Sequence, residues 1–571
     1  MILQPIVNIA EICARKGVQQ VVLSPGSRCA PLTIAFARHP ALTVRTVSDE
    51  RAAAFIALGM ALTTGKPTVL ICTSGTAALN YAPAVAEAFF QQVPLLILTA
   101  DRPPEWIDQL DGQTIRQQEI YGKHVKNSFS FLADLMHPDA VWHGTRIISE
   151  ALNEAVAFPP GPVHINVPLR EPFYPAPGEV LVYDKDVKVV EEQQNDFSLS
   201  KVQAVQVLQE LQQYKRILVV AGQEKYDHVL QEQLGNFADK TGAVVAGDII
   251  SNIHQIPGAI RHQDAILACP DEEKMQALRP DLLITFGKSI ISKSLKLYLR
   301  QYKPKAHWHL QPAGAVADTF QSLTKIFRIT PASFFVEVAA APTGSEPKDL
   351  MYHETWANKE AQAAHFFEEY TAAAAAYSEL SVISKVLHQL PQPSNLHLAN
   401  SMAVRYANIL GLRKKQDIHV FANRGTSGID GSTSTTVGCA LTSSHITTLI
   451  TGDLAFFYDR NGLWHNYLSP NLRIVLLNNH AGGIFRLIEG PKQQPELEPF
   501  FETHQALNAA NTARDFGLRY TSCHTLDELQ QALPTFFEAE AGAGILEIFT
   551  DTKDNAAAFA AYKQQLLRSG I

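Results

Sequence analysis

Sulfur is scarce in this 571-residue chain, and what there is stands apart. Cys13, Cys29, Cys72, Cys269, Cys439 and Cys523 form no C-x-x-C pair. That speaks against a zinc site or a disulfide framework and for a reducing compartment, so a cytoplasmic location is expected. No apolar run approaches the roughly 20 residues that cross a bilayer, and no membrane span is expected. The opening "MILQPIVNIAEICARKG" lacks the charged start and continuous apolar stretch of a signal peptide and reads as an amphipathic helix ending at Gly17. There is no long basic run, and the formal net charge is −8, which argues against a nucleic-acid partner. No G-x-G-x-x-G occupies the strand–helix junctions, as a nicotinamide-dependent oxidoreductase would need. The 20 histidines show no metal-ligand spacing.

What is there is a rhythm. Short apolar runs alternate with longer helical patterns, the signature of α/β units with parallel sheets. The first third offers "VQQVVLSPG", "ALTVRTV", "PTVLICTSG", "VPLLILTAD" and "GPVHINVP" as strands. The middle offers "RILVVAGQ", "GAVVAGDI", "DLLITFG" and "AHWHLQP", and the last third "DIHVFANRG", "HITTLITGD", "NLRIVLLNN" and "GAGILEIFT". Stretches rich in Pro and charge at 171–196 and 340–356 read as linkers. The expected fold is therefore α/β, with three doubly wound parallel-sheet domains over residues 1–180, 181–350 and 351–571. At this length more than one core is required.

Open parallel sheets bind ligands beyond the carboxyl ends of their strands, so the polar residues there matter most. Gly452-Asp453-Leu454 follows one apolar run, and Asn478-Asn479 follows the next, leading into Gly482-Gly483. A carboxylate, a carboxamide oxygen and a backbone carbonyl are hard ligands that suit Mg²⁺ with phosphates, and the glycines let backbone amides approach those phosphates. Read alone, Asp453 could also be a turn residue. Glu50 sits between a strand end and the helical run "ERAAAFIALGMA". Alone, it reads as an acid at a helix N-terminus, with Ser48 or Asp49 as the cap.

The Gly-Asp and Asn-Asn pair resembles the metal–diphosphate signature of thiamine-diphosphate-dependent enzymes. "LSPGSRCAPL", "TADRPPEWID", "GQTIRQ", "NRGTSGIDG" and "NNHAGGIF" are similar to the menaquinone-pathway synthases within them. The resemblance implies a thiamine-diphosphate-binding fold, with a pyrimidine-binding first domain, a central domain and a diphosphate-binding third domain. It implies thiamine diphosphate with Mg²⁺ (or Mn²⁺) as cofactors, 2-oxoglutarate and isochorismate as substrates, and a homodimer or homotetramer with active sites between subunits. Glu50 would hydrogen-bond N1′ of the aminopyrimidine, and Ile429 would wedge beneath the folded cofactor. Asp453, Asn479 and the backbone of Ala481 would hold the metal, with Leu454, Gly482 and Gly483 lining the diphosphate.

Both implied substrates are dianions, and arginine forks suit carboxylates. The resemblance places Ser27, Arg28, Arg102, Gln113, Lys293, Ser401, Arg405, Arg424, Ile484 and Phe485 around them, with Arg28 and Gln113 beside Glu50 as catalytic residues. Each has a plainer reading: ion pairs for the arginines, a turn cap for Ser27, core packing for Ile429 and Phe485. Lys288 and Lys296 are alternatives to Lys293. Two departures stand out, since Gly112 and Ser294 occupy positions where the family pattern has Asn and Arg. The alternative reading is another thiamine-diphosphate 2-oxoacid decarboxylase or carboligase. A catalytically dead homologue could have lost Glu50, Asp453 or Asn479, and this chain has all three.

Overall fold

Strands form where short runs of Val, Ile and Leu can be buried on both faces, as parallel sheets require. The structure, a computed structural model, describes residues 4–193, 197–340, 349–373, 376–413 and 416–571. The first sheet holds β1 (Gln20–Leu23), β2 (Thr43–Thr46), β3 (Thr68–Cys72), β4 (Leu95–Asp101), β5 (Ser128–Ser130) and β6 (Pro162–Pro168), ordered β2-β1-β3-β4-β6-β5. The second holds β7 (Ile217–Ala221), β8 (Val244–Gly247), β9 (Leu282–Phe286), β10 (Ala306–Leu310) and β11 (Lys325–Phe327), ordered β11-β10-β9-β7-β8. The third holds β12 (Ser394–Leu398), β13 (Ile418–Phe421), β14 (Ile446–Gly452), β15 (Leu472–Asn478), β16 (Arg519–Cys523) and β17 (Gly544–Phe549), ordered β13-β12-β14-β15-β17-β16. Every strand pair is parallel.

The first and third sheets share one strand permutation, although the sequence carries no visible repeat. In each, the chain turns back on itself between two neighbouring strands, β1 and β3 in the first and β12 and β14 in the third. Such a switch point opens a crevice at the carboxyl ends of the strands. The ends of β2, β1, β3 and β4 lead into Glu50, Arg28, Ser74 and Arg102, and the ends of β13, β12, β14 and β15 lead into Arg424, Ser401, Asp453 and Asn479. The strand order thus lines up seven of the expected site residues, joined by Ser74, in two rows.

The helix Glu50–Thr64 is rich in Ala, Leu and Met, which favour helices. Asp49 caps it by accepting the Ala52 amide at 3.0 Å, and Gly65 ends it at φ 70°. It lies against the helix Ser432–Ala440 of the third domain. A Cβ at Gly59 would collide with the Thr435 carbonyl oxygen, and one at Gly438 with that of Ile56. One continuous core therefore joins Ala53 and Phe55 to Leu449, Phe456 and Ile474. Burying a side chain such as Phe55 contributes about 1.5–3 kcal/mol. Another core joins Leu218 of the second sheet to Leu396 of the third.

Both expected linkers need correction. Residues 171–193 lie on the first domain: the Tyr183 hydroxyl donates to the Ala35 carbonyl at 2.7 Å, and Lys185 pairs with Glu11 at 2.9 Å. Residues 194–196 lie outside the described residues. The second expected linker begins at Ala340, and its residues 341–348 are likewise outside, but from Leu350 the chain is a helix, Leu350–Ala373. Tyr352 and Trp356 bury themselves in the core shared with the second sheet, so the Pro- and charge-rich surroundings misled.

Candidate functional site

At the end of β2, Asp49 makes the cap, one of the two residues the sequence offered for it, and Glu50 is the acid of the first helical turn. The Glu50 carboxylate is half-buried and has no hydrogen bond or ion pair among the described residues. Its flanks are held by the third domain: Asn461 Nδ2 donates to Asp49 Oδ2 at 2.7 Å, and Arg51 donates to the Tyr458 carbonyl and lies 4.3 Å from the Tyr458 ring. An acid this well placed and this free is available to a ligand.

Beside it, Ser27 is exposed while Arg28 is buried. Arg28 Nη1 donates to the Leu169 carbonyl at 3.0 Å, and its guanidinium lies 4.5 Å from the Phe173 ring. Arg102 pairs with Asp111 at 3.0 Å and donates to the Gly112 carbonyl at 2.8 Å, which pins the loop carrying Gln113. Gln113 is exposed at φ 57°. The buried glutamine of this loop is Gln117, which donates to Ala100 and Asn166 at 2.9 Å.

At the third sheet, Asp453 is only 2 % exposed. Its Oδ1 accepts the Leu454 amide and its Oδ2 accepts Gln505 Nε2, both at 2.8 Å. Burial pushes its carboxyl up to about 6 against the lowering effect of the Gln505 and Leu454 hydrogen bonds and the His480 charge, and no Lys or Arg forms an ion pair with it among the described residues. A buried acid without an ion-pair partner fits a bound cation. The two asparagines divide their tasks. Asn478 is structural, donating to Glu547 at 2.7 Å and Leu507 at 3.0 Å. Asn479 is half-buried, with Oδ1 accepting the Ala481 amide at 2.9 Å and Nδ2 donating to Glu379 at 2.7 Å. No group of three His, Cys, Asp or Glu side chains forms a metal cluster among the described residues. One carboxylate, one carboxamide and a backbone carbonyl instead make a hard-oxygen set that could hold Mg²⁺ with phosphate. Gly482 and Gly483 follow immediately, and a Cβ at Gly483 would press on Asn479 Nδ2 at 3.0 Å.

The loop of Arg424 and Ile429 is clamped by Asn400, which donates to the Asn423 and Gly428 carbonyls at 2.7 Å and accepts Arg424 Nη1 at 2.8 Å. Ile429 is left 42 % exposed, so the core-packing reading does not hold in this chain. Ser401 sits at φ 74°, a conformation that non-glycine residues rarely adopt, and its carbonyl accepts Arg405 Nη1 at 2.6 Å.

Arg405, Lys293, Ser294 and Ile484 line one cavity of about 430 Å³. Phe485 does not line it and packs on Phe501, with ring centroids 5.6 Å apart. Asp264 ties its walls together, accepting Ser292 Oγ at 2.6 Å and Asn408 Nδ2 at 3.1 Å. Lys293 is exposed, whereas Lys296 is half-buried and donates to the Ile290 carbonyl at 3.0 Å. Burial lowers the pKa of Arg405, Arg424 and Lys296 alike; Arg405 acts further on Arg424, and both arginines act on Lys296. None of the three has an ion-pair partner among the described residues. Their near neighbour Asp248 is committed to the Ile291 and Ser292 amides. Lys288 lies elsewhere, donating to the Gln91 carbonyl at 3.0 Å.

Asn400, Gln505 and Glu379 escaped the sequence reading. Asn400 follows β12, a strand the sequence reading did not find, so the strand-end rule could not reach it. The other two come from distant segments and carry no local signal.

Comparison with known proteins agrees with this geometry. Residues 8–124 match the family model described as thiamine pyrophosphate enzyme, N-terminal TPP binding domain, and residues 184–398 match the middle domain of thiamine pyrophosphate. The fold is similar to benzoylformate decarboxylase from Polynucleobacter necessarius, with a TM-score of 0.71, 15% identity, and 97% of this chain and 99% of that chain covered. A 2-succinyl-5-enolpyruvyl-6-hydroxy-3-cyclohexene-1-carboxylate synthase of Cytophaga hutchinsonii is 47% identical over 99% of this chain and 100% of its own length. Relatives of the same name in Flavobacterium johnsoniae and Porphyromonas gingivalis are each 37% identical, covering 98% and 97% of this chain and 98% and 96% of their own. The chain belongs to the 2-succinyl-5-enolpyruvyl-6-hydroxy-3-cyclohexene-1-carboxylate synthase family of thiamine-diphosphate-dependent enzymes.

Proposed function

We propose that the protein decarboxylates 2-oxoglutarate and adds the remaining succinic semialdehyde unit in conjugate fashion to isochorismate. The product is 2-succinyl-5-enolpyruvyl-6-hydroxy-3-cyclohexene-1-carboxylate, on the route to menaquinone. Bound thiamine diphosphate supplies the nucleophilic carbon and the electron sink. The chain's own residues do the rest. Glu50 holds the aminopyrimidine N1′ from the first sheet. Asp453, Asn479 and the Ala481 carbonyl hold Mg²⁺ or Mn²⁺ on the diphosphate, and Ile429 supports the bend between the two ends.

The observation that carries the substrate reading is the set of Arg405, Arg424 and Lys296, three cations that donate to neutral oxygens and form no ion pair among the described residues. Like charges gathered out of water are costly unless an anion joins them. A dicarboxylate supplies that anion, against a net charge that would otherwise repel it. Lys293 shares the cavity lining with Arg405, and the charges of both arginines act on the half-buried Lys296, so either lysine offers a cation where Ser294 offers none. Ser27, Arg28, Arg102, Gln113 and Ser401 complete the substrate surface, with Ile484 as its apolar wall.

The working unit is proposed to be a homodimer or homotetramer with active sites at the subunit interface, Glu50 coming from one subunit and Asp453 and Asn479 from another. Exposed apolar side chains near it, Trp106, Leu110 and Ile429, support that. Six unpaired thiols suit a cytoplasmic setting. The test is carbon dioxide release from 2-oxoglutarate with and without isochorismate, thiamine diphosphate and Mg²⁺. Turnover requiring all four components is expected, and preference for pyruvate would favour another decarboxylase or carboligase.

A further inference from the structure

The segment 478–483 that approaches the expected cation is gripped from outside by a residue about 100 positions earlier. Glu379 opens the helix Glu379–Gln389, which Ser378 caps. An acid in a first helical turn needs no special explanation, because it answers the helix dipole. This one does more. Its side chain turns inward, is buried, and meets Asn479 Nδ2 at 2.7 Å. A circuit of hydrogen bonds closes behind it. The Glu379 amide donates to Asn555 Oδ1 at 2.9 Å, Asn555 Nδ2 donates to Thr550 Oγ1 at 3.0 Å, and the Thr550 amide donates to the Asn478 carbonyl at 3.0 Å. The carboxylate is thus fixed relative to the strand end that carries Asn479.

A carboxamide has one end that can ligate a cation and one that repels it, and the two ends have the same shape. Rotation by half a turn would present Nδ2 to a bound metal. The Glu379 carboxylate accepts hydrogen bonds and so selects Nδ2 as its partner, while the Ala481 amide donates and selects Oδ1. Oδ1 retains a second lone pair for a ligand.

We propose that Glu379 is the positioning residue of the cation site, holding the Asn479 carboxamide with Oδ1 turned to the divalent ion. The inference rests on the reading that Asp453 and Asn479 hold that ion. It assigns Glu379 no contact with substrate or cofactor.

The test compares Glu379→Gln, whose side-chain oxygen keeps an acceptor in place without charge, with Glu379→Asp, which keeps the charge and withdraws the acceptor by one methylene. The measurement is calorimetric titration of Mg²⁺ into the full-length protein with thiamine diphosphate. Loss of an orienting partner behind a metal ligand weakens metal affinity about 10- to 100-fold. Glu379→Asp is expected in that range, and Glu379→Gln within about threefold of wild type, as a retained orienting bond implies. The reverse order, or equal affinity in all three proteins, overturns the inference, because a purely electrostatic role favours Asp over Gln. Cofactor binding by the wild type without any divalent ion would instead overturn the underlying cation reading.

Discussion

The carboxylate of Glu87 is held against the backbone amide of Gly425, at 2.7 Å and 338 residues further along the chain. Its second oxygen accepts the Thr426 amide at 2.7 Å and the Thr426 hydroxyl at 2.6 Å. The first domain thereby shapes the loop that carries Arg424. Glu87→Gln would set a donor against the Thr426 amide and leave it unsatisfied, a cost of about 1–3 kcal/mol. A lower urea midpoint is expected, together with a raised KM for a dianionic substrate. An unchanged KM would show that the loop does not shape the substrate surface.

Glu50→Gln separates catalysis from capping. Because Asp49 caps the helix, the melting temperature should hold, while carbon dioxide release should fall by about 10²–10⁴-fold, the range for a positioned proton-transfer group. Asp49→Ala should do the opposite first, costing about 1 kcal/mol of stability.

Removing divalent ions with a chelator should abolish turnover, and Mg²⁺ or Mn²⁺ should restore it. Asp453→Ala should not be restored at any practical concentration, since it deletes the carboxylate of the ligand set. Cofactor binding followed by calorimetry reports both effects directly, and retention of tight binding by Asp453→Ala would remove Asp453 from the site.

Lys296→Met should raise the KM for one of the two dianionic substrates about 10- to 100-fold, the equivalent of losing a hydrogen bond to a charged group. Lys293→Met should have a smaller effect, because Lys293 is exposed. If the two variants rank the other way, Lys293 is the substrate cation.

Asp459 predicts a pH effect on stability. It is fully buried, accepts the Ser434 amide and hydroxyl at 2.7 Å, and burial pushes its carboxyl up to about 7. The unfolded chain releases that proton near pH 4, so the folded form binds the extra proton between about pH 4 and 7. Stability therefore falls as pH rises through that window. Asp459→Asn keeps both partners and lacks the titration. Its melting temperature should gain on wild type as pH rises from about 4 to 7, and a constant difference would count against the shifted group.

Much of this was legible where local sequence decides structure. Glu50, Asp453 and Asn479 each follow an apolar run; the rule that ligands gather at strand ends singled out Asp453 and Asn479 as candidates, while Glu50 needed the family resemblance. Four strands went unread. β5, β11 and β16 are short or polar pieces at sheet edges, and β12 lies inside its sheet despite the polar sequence "SNLHL". Tertiary partners meet that interior only in part: Asn395 donates to Ser443 Oγ at 2.9 Å and His397 stacks on Phe421 with centroids 4.8 Å apart, while Ser394 Oγ and His397 Nε2 are buried without a hydrogen-bond partner. Reliance on distant partners also hid Glu87, Glu379 and Gln505. Their roles lie in bonds to segments tens to hundreds of residues away, which no periodicity encodes.

The seam between Gly59 and Gly438 has a mechanical result. With the backbones of two helices in direct contact, neither can slide along the other, nor can a methyl group be slipped between them. The lobe bearing Glu50 and the lobe bearing Asp453 are thereby braced as one chassis within the chain, so that a displacement of either is passed to the other.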